Sequence, residues 1–134
     1  MVLQKGNLNR CIETLEQALV LLNAAPIDSV EYEIFRNAAV KGFELTLETS
    51  GKLLRKKLKT FFILPKEVDE LTYKDVLRHA NKHGILSSDE VKRWFKYREN
   101  RNNTAHDYGI GFAELTLKLL PDFINDVKTL ERQL

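Results

Sequence analysis

Residues 28–60 have the sequence DSVEYEIFRNAAVKGFELTLETSGKLLRKKLKT, a stretch without proline. Apolar residues recur in it at positions 35, 39, 43, 47, 54 and 58. Steps of four or seven residues place these side chains on one face of an α-helix. About 30 residues at 1.5 Å per residue form a helix roughly 45 Å long. The stretch therefore predicts one long amphipathic helix, which is unusual in a small domain.

Three segments carry the signal of a helix N-terminus, a side chain that can cap the helix followed three residues later by an acidic residue. The pairs are Asp28 with Glu31, Thr72 with Asp75, and Ser87 with Glu90. Gly84 predicts the end of the short helix that begins at Thr72. These signals predict the starts of the long helix and of two later helices.

The two ends of the chain also have helical periodicity. Apolar residues at positions 8, 12, 15, 19 and 22 predict a first helix that stops before Pro26. A last amphipathic helix is predicted from Phe112 to Leu134, with a chain break at Gly109 and Gly111 and a kink or break at Pro121. No segment has the alternation of a strand. We therefore predict an all-α fold, an up-and-down four-helix bundle with an additional short helix, as a single domain over residues 1–134.

Composition limits the class of protein. The 134 residues are 43% hydrophobic and 30% charged, with a net charge of +2. This balance is typical of a globular chain and differs from that of a strongly basic DNA-binding protein. A single cysteine, Cys11, excludes an intrachain disulfide and a cysteine-rich zinc site. The sequence has no apolar run of membrane-spanning length and no signal-peptide pattern, so we predict a cytoplasmic protein with no membrane contact.

The end of the predicted fourth helix departs from the apolar pattern. Its apolar face begins at Val91, Trp94 and Phe95. The same face continues at positions 98, 101, 102 and 105, which hold Arg98, Arg101, Asn102 and Ala105. Burying an unpaired guanidinium is costly, so these residues indicate either a functional site or a helix that leaves the core after Phe95.

The next residues favour a functional site, because Arg101-Asn102-Asn103-Thr104-Ala105-His106-Asp107-Tyr108 combines two chemically useful side chains. Histidine exchanges a proton near neutral pH, and arginine binds phosphate through a fixed fork of donors. Asn102 lies four residues before His106, so its amide could orient the imidazole. Arg101 and His106 would point about 140° apart on a continuous helix. They converge only if the helix ends between them or if two copies of the protein meet there.

This segment resembles the signature of HEPN domains, in which arginine, four spacers, histidine, one spacer and tyrosine follow one another. The resemblance extends over nearly the whole chain to one branch, the nucleotidyltransferase substrate-binding-like proteins. It rests also on Phe43-Glu44, Lys52, Gly84-Ile85-Leu86 and Asn100-Arg101-Asn102. That branch pairs with a minimal nucleotidyltransferase in two-gene modules that are interpreted as toxin–antitoxin systems.

The resemblance implies a homodimeric toxin that cleaves RNA without a metal or another cofactor. His106 would act as general acid or base, and Arg101 would stabilise charge on the phosphate. Asn102 would orient His106 or the phosphate, and Glu44 could approach Arg101 from the neighbouring helix. The nucleotidyltransferase would transfer an adenylyl group to Tyr108 and silence the nuclease. Alternatively, Tyr108 packs at the dimer interface.

Two other interpretations stay open. The protein could be a non-catalytic subunit that presents a substrate, or itself, to the nucleotidyltransferase, with Arg101 and His106 holding a nucleotide or an acidic group. It could also be a generic helical interaction domain. His79 and His83 have a spacing used by zinc ligands, but a third ligand is not near them in the sequence. We therefore predict no metal site.

Overall fold

A computed structural model describes residues 2–106 and 110–134 of the chain. The helices are α1 (Gly6–Ala24), α2 (Val30–Leu58), α3 (Tyr73–Lys82), α4 (Ser88–His106) and α5 (Ile110–Gln133). Two short 3₁₀ turns, Lys59–Phe61 and Pro65–Glu70, lie between α2 and α3. Helices α1, α2, α4 and α5 form the bundle, and the short α3 packs against α2 and α4. The predicted all-α bundle with an additional short helix is confirmed.

An aromatic cluster holds three of the long helices together. Phe43 of α2, Trp94 and Tyr97 of α4, and Phe123 of α5 are all buried. The ring centroids of Phe43 and Phe123 are 4.7 Å apart, and those of Tyr97 and Phe123 are 5.0 Å apart, both edge to face. This geometry is favourable for aromatic rings beyond their simple burial. The cluster therefore fixes α4 against α2 and α5 along its first half.

Two of the three predicted helix starts are confirmed. Thr72 caps α3 by accepting from the amide of Asp75. Ser87 and Glu90 form a reciprocal capping box, in which each side chain accepts from the other residue's amide. The start of α2 was predicted one residue too early, because its cap is Ser29 rather than Asp28. Ser29 has extended backbone, and its Oγ accepts from the amide of Tyr32 at 3.1 Å.

Two glycines have a geometric reason to be glycine. Gly84 has a φ of +75° and follows α3, where the left-handed backbone lets the amide of Ile85 donate to the carbonyl of Ala80. Gly42 lies where α1 and α2 approach each other closely. A Cβ atom on Gly42 would be 3.2 Å from Cδ1 of Leu15. The absence of a side chain therefore lets the two helices pack tightly.

The last helix differs from the prediction in two ways. It begins at Ile110, so Gly111 lies within it, and it is not broken at Pro121. The alternative, a kink at Pro121, stays a prediction. Pro121 is exposed, so water can reach the carbonyl that its ring leaves without a donor. The buried face also includes Thr116 and Asp126, whereas Leu115 is 51% exposed. These two polar residues are buried because they bond to α4.

Candidate functional site

A cleft of about 480 Å³ lies between α2, the start of α3 and the second half of α4. It contains the three polar residues at which the fourth helix departs from its apolar pattern, Arg98, Arg101 and Asn102. Its lining residues are Glu44, Leu47, Glu48, Gly51, Lys52, Arg55, Leu71, Thr72, Tyr73, Arg98, Arg101 and Asn102. The volume is within the range of roughly 300–1,000 Å³ that is usual for small-molecule pockets.

Helical spacing explains why these side chains share one cleft. On α2, Glu44, Glu48 and Lys52 are four residues apart and therefore lie on one face of the helix. On α4, Arg98 lies three residues before Arg101 and four before Asn102. Because α2 and α4 are in contact, the two faces form opposite walls. Two local sequence patterns thus produce one site.

The cleft carries more positive than negative side chains. Lys52, Arg98 and Arg101 line it, with Glu44 and Glu48 as the acidic residues. Lys52 is 3.2 Å from the Glu48 carboxylate in an exposed pair. Such pairs on helix surfaces contribute only about 0.3–0.5 kcal/mol. Lys52 can therefore leave Glu48 for an anionic ligand at little cost.

Arg55, the fourth cation of the cleft, has a structural role. Its Nη1 donates to the carbonyl of Val68 at 2.9 Å and to that of Leu71 at 3.1 Å. These bonds hold the segment before α3 against α2. The position of Tyr73, at the start of α3, is thereby fixed relative to the cleft.

Arg98 lies over Tyr73 across the cleft. Its guanidinium carbon is 4.8 Å from the centroid of the Tyr73 ring, within the range of a cation–π contact. Burial of the Tyr73 hydroxyl raises its pKa to about 12, while the charges of Arg98 and Arg55 act in the opposite direction. Tyr73 is therefore neutral near pH 7, and the contact is between a cation and an uncharged ring.

Bonds between α4 and α5 hold the cleft wall in place. Arg93 forms a bidentate ion pair with Asp126, with N–O distances of 2.8 and 2.9 Å. Tyr97 also donates to Asp126, and burial followed by this bond raises the pKa of Tyr97. Further along α4, the amide of Asn100 donates to Thr116 Oγ1 at 2.7 Å. The residues next to Arg101 are therefore anchored on the opposite side of the helix.

The structure brings together three of the predicted site residues. Glu44, Arg101 and Asn102 line the same cleft, and the roles expected of them stay predictions. Tyr97, rather than position 98, continues the buried face of α4, and Arg98 is exposed. The sequence patterns did not identify Tyr73, whose contact with Arg98 joins residues of two different helices.

The backbone of α4 is continuous through His106, which excludes a helix end between Arg101 and His106. The side chain of His106 lies outside the described part of the chain. Tyr108, the predicted modification site, and Gly109, the first of the two glycines at the predicted chain break, also lie outside the described residues.

The two other histidines pack against aromatic rings. Phe61 stacks on His83 with a centroid distance of 4.3 Å, and Phe62 packs edge to face on His79 at 4.9 Å. In residues 2–106 and 110–134, no three His, Cys, Asp or Glu side chains form a group that could hold a metal ion. These contacts give both histidines a packing role.

The sequence from residue 4 to residue 134 matches the family described as nucleotidyltransferase substrate-binding protein like. The chain belongs to this family. One relative, named Probable ribonuclease HepT, from Haemophilus influenzae, is 27% identical over 141 residues, which cover 100% of this chain and 95% of the relative. The expected relation to this HEPN-like branch is confirmed.

A solved structure from Haemophilus influenzae has the same fold. Its TM-score is 0.83 at 26% sequence identity, and the match covers 94% of this chain and 95% of the other. That structure is described as the fold of a substrate-binding domain of a nucleotidyltransferase. Within the described residues of this family member, none of the helices is long and apolar enough for a membrane span.

Proposed function

We propose that the protein is a ribonuclease of the HEPN type, and that Arg101 and His106 carry its chemistry. The main observation is the positively charged cleft that contains Arg101 on the helix that also carries His106. A relative named Probable ribonuclease supports the same activity. Proteins that neutralise phosphates use such clusters of Lys and Arg, even where the whole chain has little net charge.

The reaction requires no atom from outside the RNA and the protein. A base removes the proton of the 2′-hydroxyl, and the 2′-oxygen attacks the adjacent phosphorus. The bond from phosphorus to the 5′-oxygen breaks, an acid protonates that oxygen, and a 2′,3′-cyclic phosphate remains. His106 is suited to the proton transfers because its ordinary pKa is close to neutral pH. Arg101 stabilises the negative charge of the transition state, and Asn102 orients His106 or the phosphate.

We also propose that the active form is a homodimer with two motifs at its interface. The positions of Arg101 and His106 are about 140° apart around the unbroken α4, so one copy does not bring them together on the helix surface. Exposed apolar side chains occur at the end of α1 and around the starts of α2 and α5: Val20, Leu21, Ile27, Val30, Ile34, Ile110 and Leu115. The Tyr32 hydroxyl donates to Glu114, which joins the start of α2 to that of α5. Exposed apolar residues at one end of a bundle favour an interaction surface there.

The nuclease test uses purified protein and a labelled single-stranded RNA in the presence of a strong chelator. We expect cleavage without added metal and a loss of about 10²–10⁴-fold in the cleavage rate for His106→Ala. A His79→Ala protein is the matched control, because His79 packs on Phe62 away from the cleft. Cleavage that depends on added metal, or that survives the loss of His106, would contradict the proposal.

Mixing two inactive variants tests the dimer. One protein carries Arg101→Ala and the other carries His106→Ala. When the two exchange subunits, each mixed dimer has one site in which Arg101 comes from one copy and His106 from the other, both intact. We expect the mixture to regain part of the wild-type rate. If the mixture stays inactive while sedimentation shows that the subunits have exchanged, the two residues do not come from different copies.

The second candidate function is a non-catalytic subunit of a nucleotidyltransferase, which the family description and the solved relative favour. Under either function we propose a cognate minimal nucleotidyltransferase as partner in the cytoplasm, with Tyr108 as the adenylylation site. If the protein is a ribonuclease, we propose that the two form a toxin–antitoxin module. The test is intact mass spectrometry after incubation with that enzyme and ATP. We expect one added adenylyl group, and none in Tyr108→Phe. Modification of a protein that never cleaves RNA favours the second candidate.

A further inference from the structure

Arg98 and Tyr73 are in contact at the cleft. The guanidinium lies over the ring at 4.8 Å, and Arg98 is exposed and lines the cleft. The guanidinium therefore contacts the Tyr73 ring and also borders the cleft. An exposed guanidinium in this position can offer its flat face to a nucleobase, because unpaired bases stack on arginine planes as well as on aromatic rings.

The support beneath Arg98 is rigid. Tyr73 begins α3 directly after its cap, Thr72, whose side chain accepts from the amide of Asp75. The preceding segment is held by Arg55, which donates to the carbonyls of Val68 and Leu71. Little flexibility therefore has to be lost when a ligand stacks on Arg98, which favours binding.

The opposite wall offers a phosphate-binding cation. Lys52 of α2 is 73% exposed, and its pair with Glu48 is on the surface. Arg101 lies one turn along α4 from Arg98, on the same wall of the cleft as Arg98. A base on Arg98 would therefore have cations on both sides for its phosphates. Combined stacking and positive charge are the two features of sites that bind single-stranded nucleic acids.

The size of the cleft favours single-stranded RNA over duplex RNA as its ligand. A volume of about 480 Å³ accommodates one nucleotide. A duplex keeps its bases stacked on each other, so it could not place one on Arg98 without unpairing it.

We propose that the cleft between α2 and α4 binds one unpaired nucleotide of the RNA, with its base stacked on Arg98 and its phosphate held by Lys52. This inference rests on the proposed ribonuclease function for the identity of its ligand. It defines the substrate class as single-stranded RNA next to the cleaved bond. Because every base has a flat face, the site accepts different bases and does not read a sequence.

The experiment measures binding of short fluorescent single-stranded RNA by anisotropy. The full-length protein carries His106→Ala so that the RNA stays intact, and a fully abasic oligomer of the same length is the second probe. Adding Arg98→Lys keeps the charge and removes the flat guanidinium. We expect about tenfold weaker binding of the RNA and a change of less than about twofold for the abasic oligomer.

Matched variants control for charge and folding. Arg78→Lys, at an exposed arginine of α3 that pairs with Asp75 outside the cleft, is expected to change neither affinity. Tyr73→Leu is expected to weaken RNA binding as Arg98→Lys does, whereas Tyr73→Phe keeps the ring and the affinity. A fully duplex RNA is expected to bind with equal affinity whether or not the protein carries Arg98→Lys. Circular dichroism checks that each variant is folded.

The inference fails if Arg98→Lys weakens both single-stranded probes equally, or neither. It also fails if Arg98→Lys leaves RNA affinity unchanged and instead weakens the complex with the purified nucleotidyltransferase, which would make the cleft a protein-binding site. The separate cleavage assay on His106→Ala distinguishes this failure from that of the ribonuclease proposal. RNA binding that depends on Arg98, in a protein whose wild-type form does not cleave RNA, would overturn only the ribonuclease proposal.

Discussion

The two halves of α4 lie on the same helix but have different surroundings. In the first half, Trp94 and Tyr97 are buried against Phe123, and Arg93 is paired with Asp126. In the second half, which begins at Arg98, the described side chains are exposed or half-buried, and several line the cleft. The first half therefore contributes stability, and the second half carries the polar groups that line the cleft.

This difference indicates how a small bundle can position reactive groups without burying them. A guanidinium that packs against the core needs a partner, as Arg93 has in the buried Asp126. Beyond Tyr97 the cleft is open, so an arginine such as Arg98 is exposed to water at the cleft. Substitutions in the two halves should consequently separate stability from activity.

The largest expected effect is on the cleavage rate after Arg101→Ala, in the second half of α4. Loss of one group that stabilises the transition state typically costs about 10²–10³-fold in rate. Because Arg101 is only half-buried, the free energy of unfolding should fall by no more than about 1.5 kcal/mol. Urea denaturation and a cleavage assay measure the two quantities. Arg10→Ala, at an exposed residue of α1, is the control for charge and should affect neither.

The next effect is on stability after Asp126→Ala, which affects the first half of α4. The change leaves the Tyr97 hydroxyl buried without its acceptor and Arg93 without its partner. Breaking a buried pair costs about 3–5 kcal/mol, but the Arg93 side chain is 40% exposed, so we expect about 2–3 kcal/mol. The folded fraction should cleave RNA at the wild-type rate.

Asp75→Ala is the matched control, because its pair with Arg78 is exposed and should contribute less than about 1 kcal/mol. If both aspartate variants lose the same stability, the polar network of the first half is not a determinant of the fold.

A smaller effect is expected at the junction of the halves, where Asn100 donates to Thr116. Asn100→Ala and Thr116→Val should each lower the free energy of unfolding by about 1 kcal/mol. The double variant should lose little more than either single one, because both changes remove the same bond. Urea denaturation of the four proteins gives the coupling energy. Fully additive losses would mean that the bond contributes nothing.

Much of the fold could be predicted because its determinants are local. Helical periodicity and two capping pairs lie within a few residues of each other, so the helices follow from the sequence alone. The residues that form the buried face of α5 were less predictable. Thr116 and Asp126 are buried because their partners lie on α4, 16 and 33 residues away in the sequence. The apolar periodicity predicted that Leu115 lies on the buried face of α5, but Leu115 is exposed.

The candidate site could be predicted only in part. The polar residues on the apolar face of α4 indicated Arg101 and Asn102, and the family resemblance added Glu44. Tyr73 and the role of Arg98 depend on how α3 packs against α4, which no local pattern reports. Pro121 is the opposite case. A proline inside a helix locally favours a break, but Pro121 is exposed on α5 and the helix continues through it.

The smallest expected effect concerns Tyr73, where α3 meets the second half of α4. Burial raises the pKa of Tyr73 to about 12 in the folded protein, whereas an unfolded chain releases the proton near pH 10. Ionisation therefore stabilises the unfolded state as the pH rises from about 10 to about 12, and the stability that this proton contributes is lost over that range. Phenylalanine cannot ionise, so Tyr73→Phe should lose less stability than the wild type between about pH 9 and about pH 11. Urea denaturation at both pH values measures the difference. Parallel losses in the two proteins would mean that water reaches the Tyr73 hydroxyl, and that the surface beneath Arg98 is as open as the rest of the second half of α4.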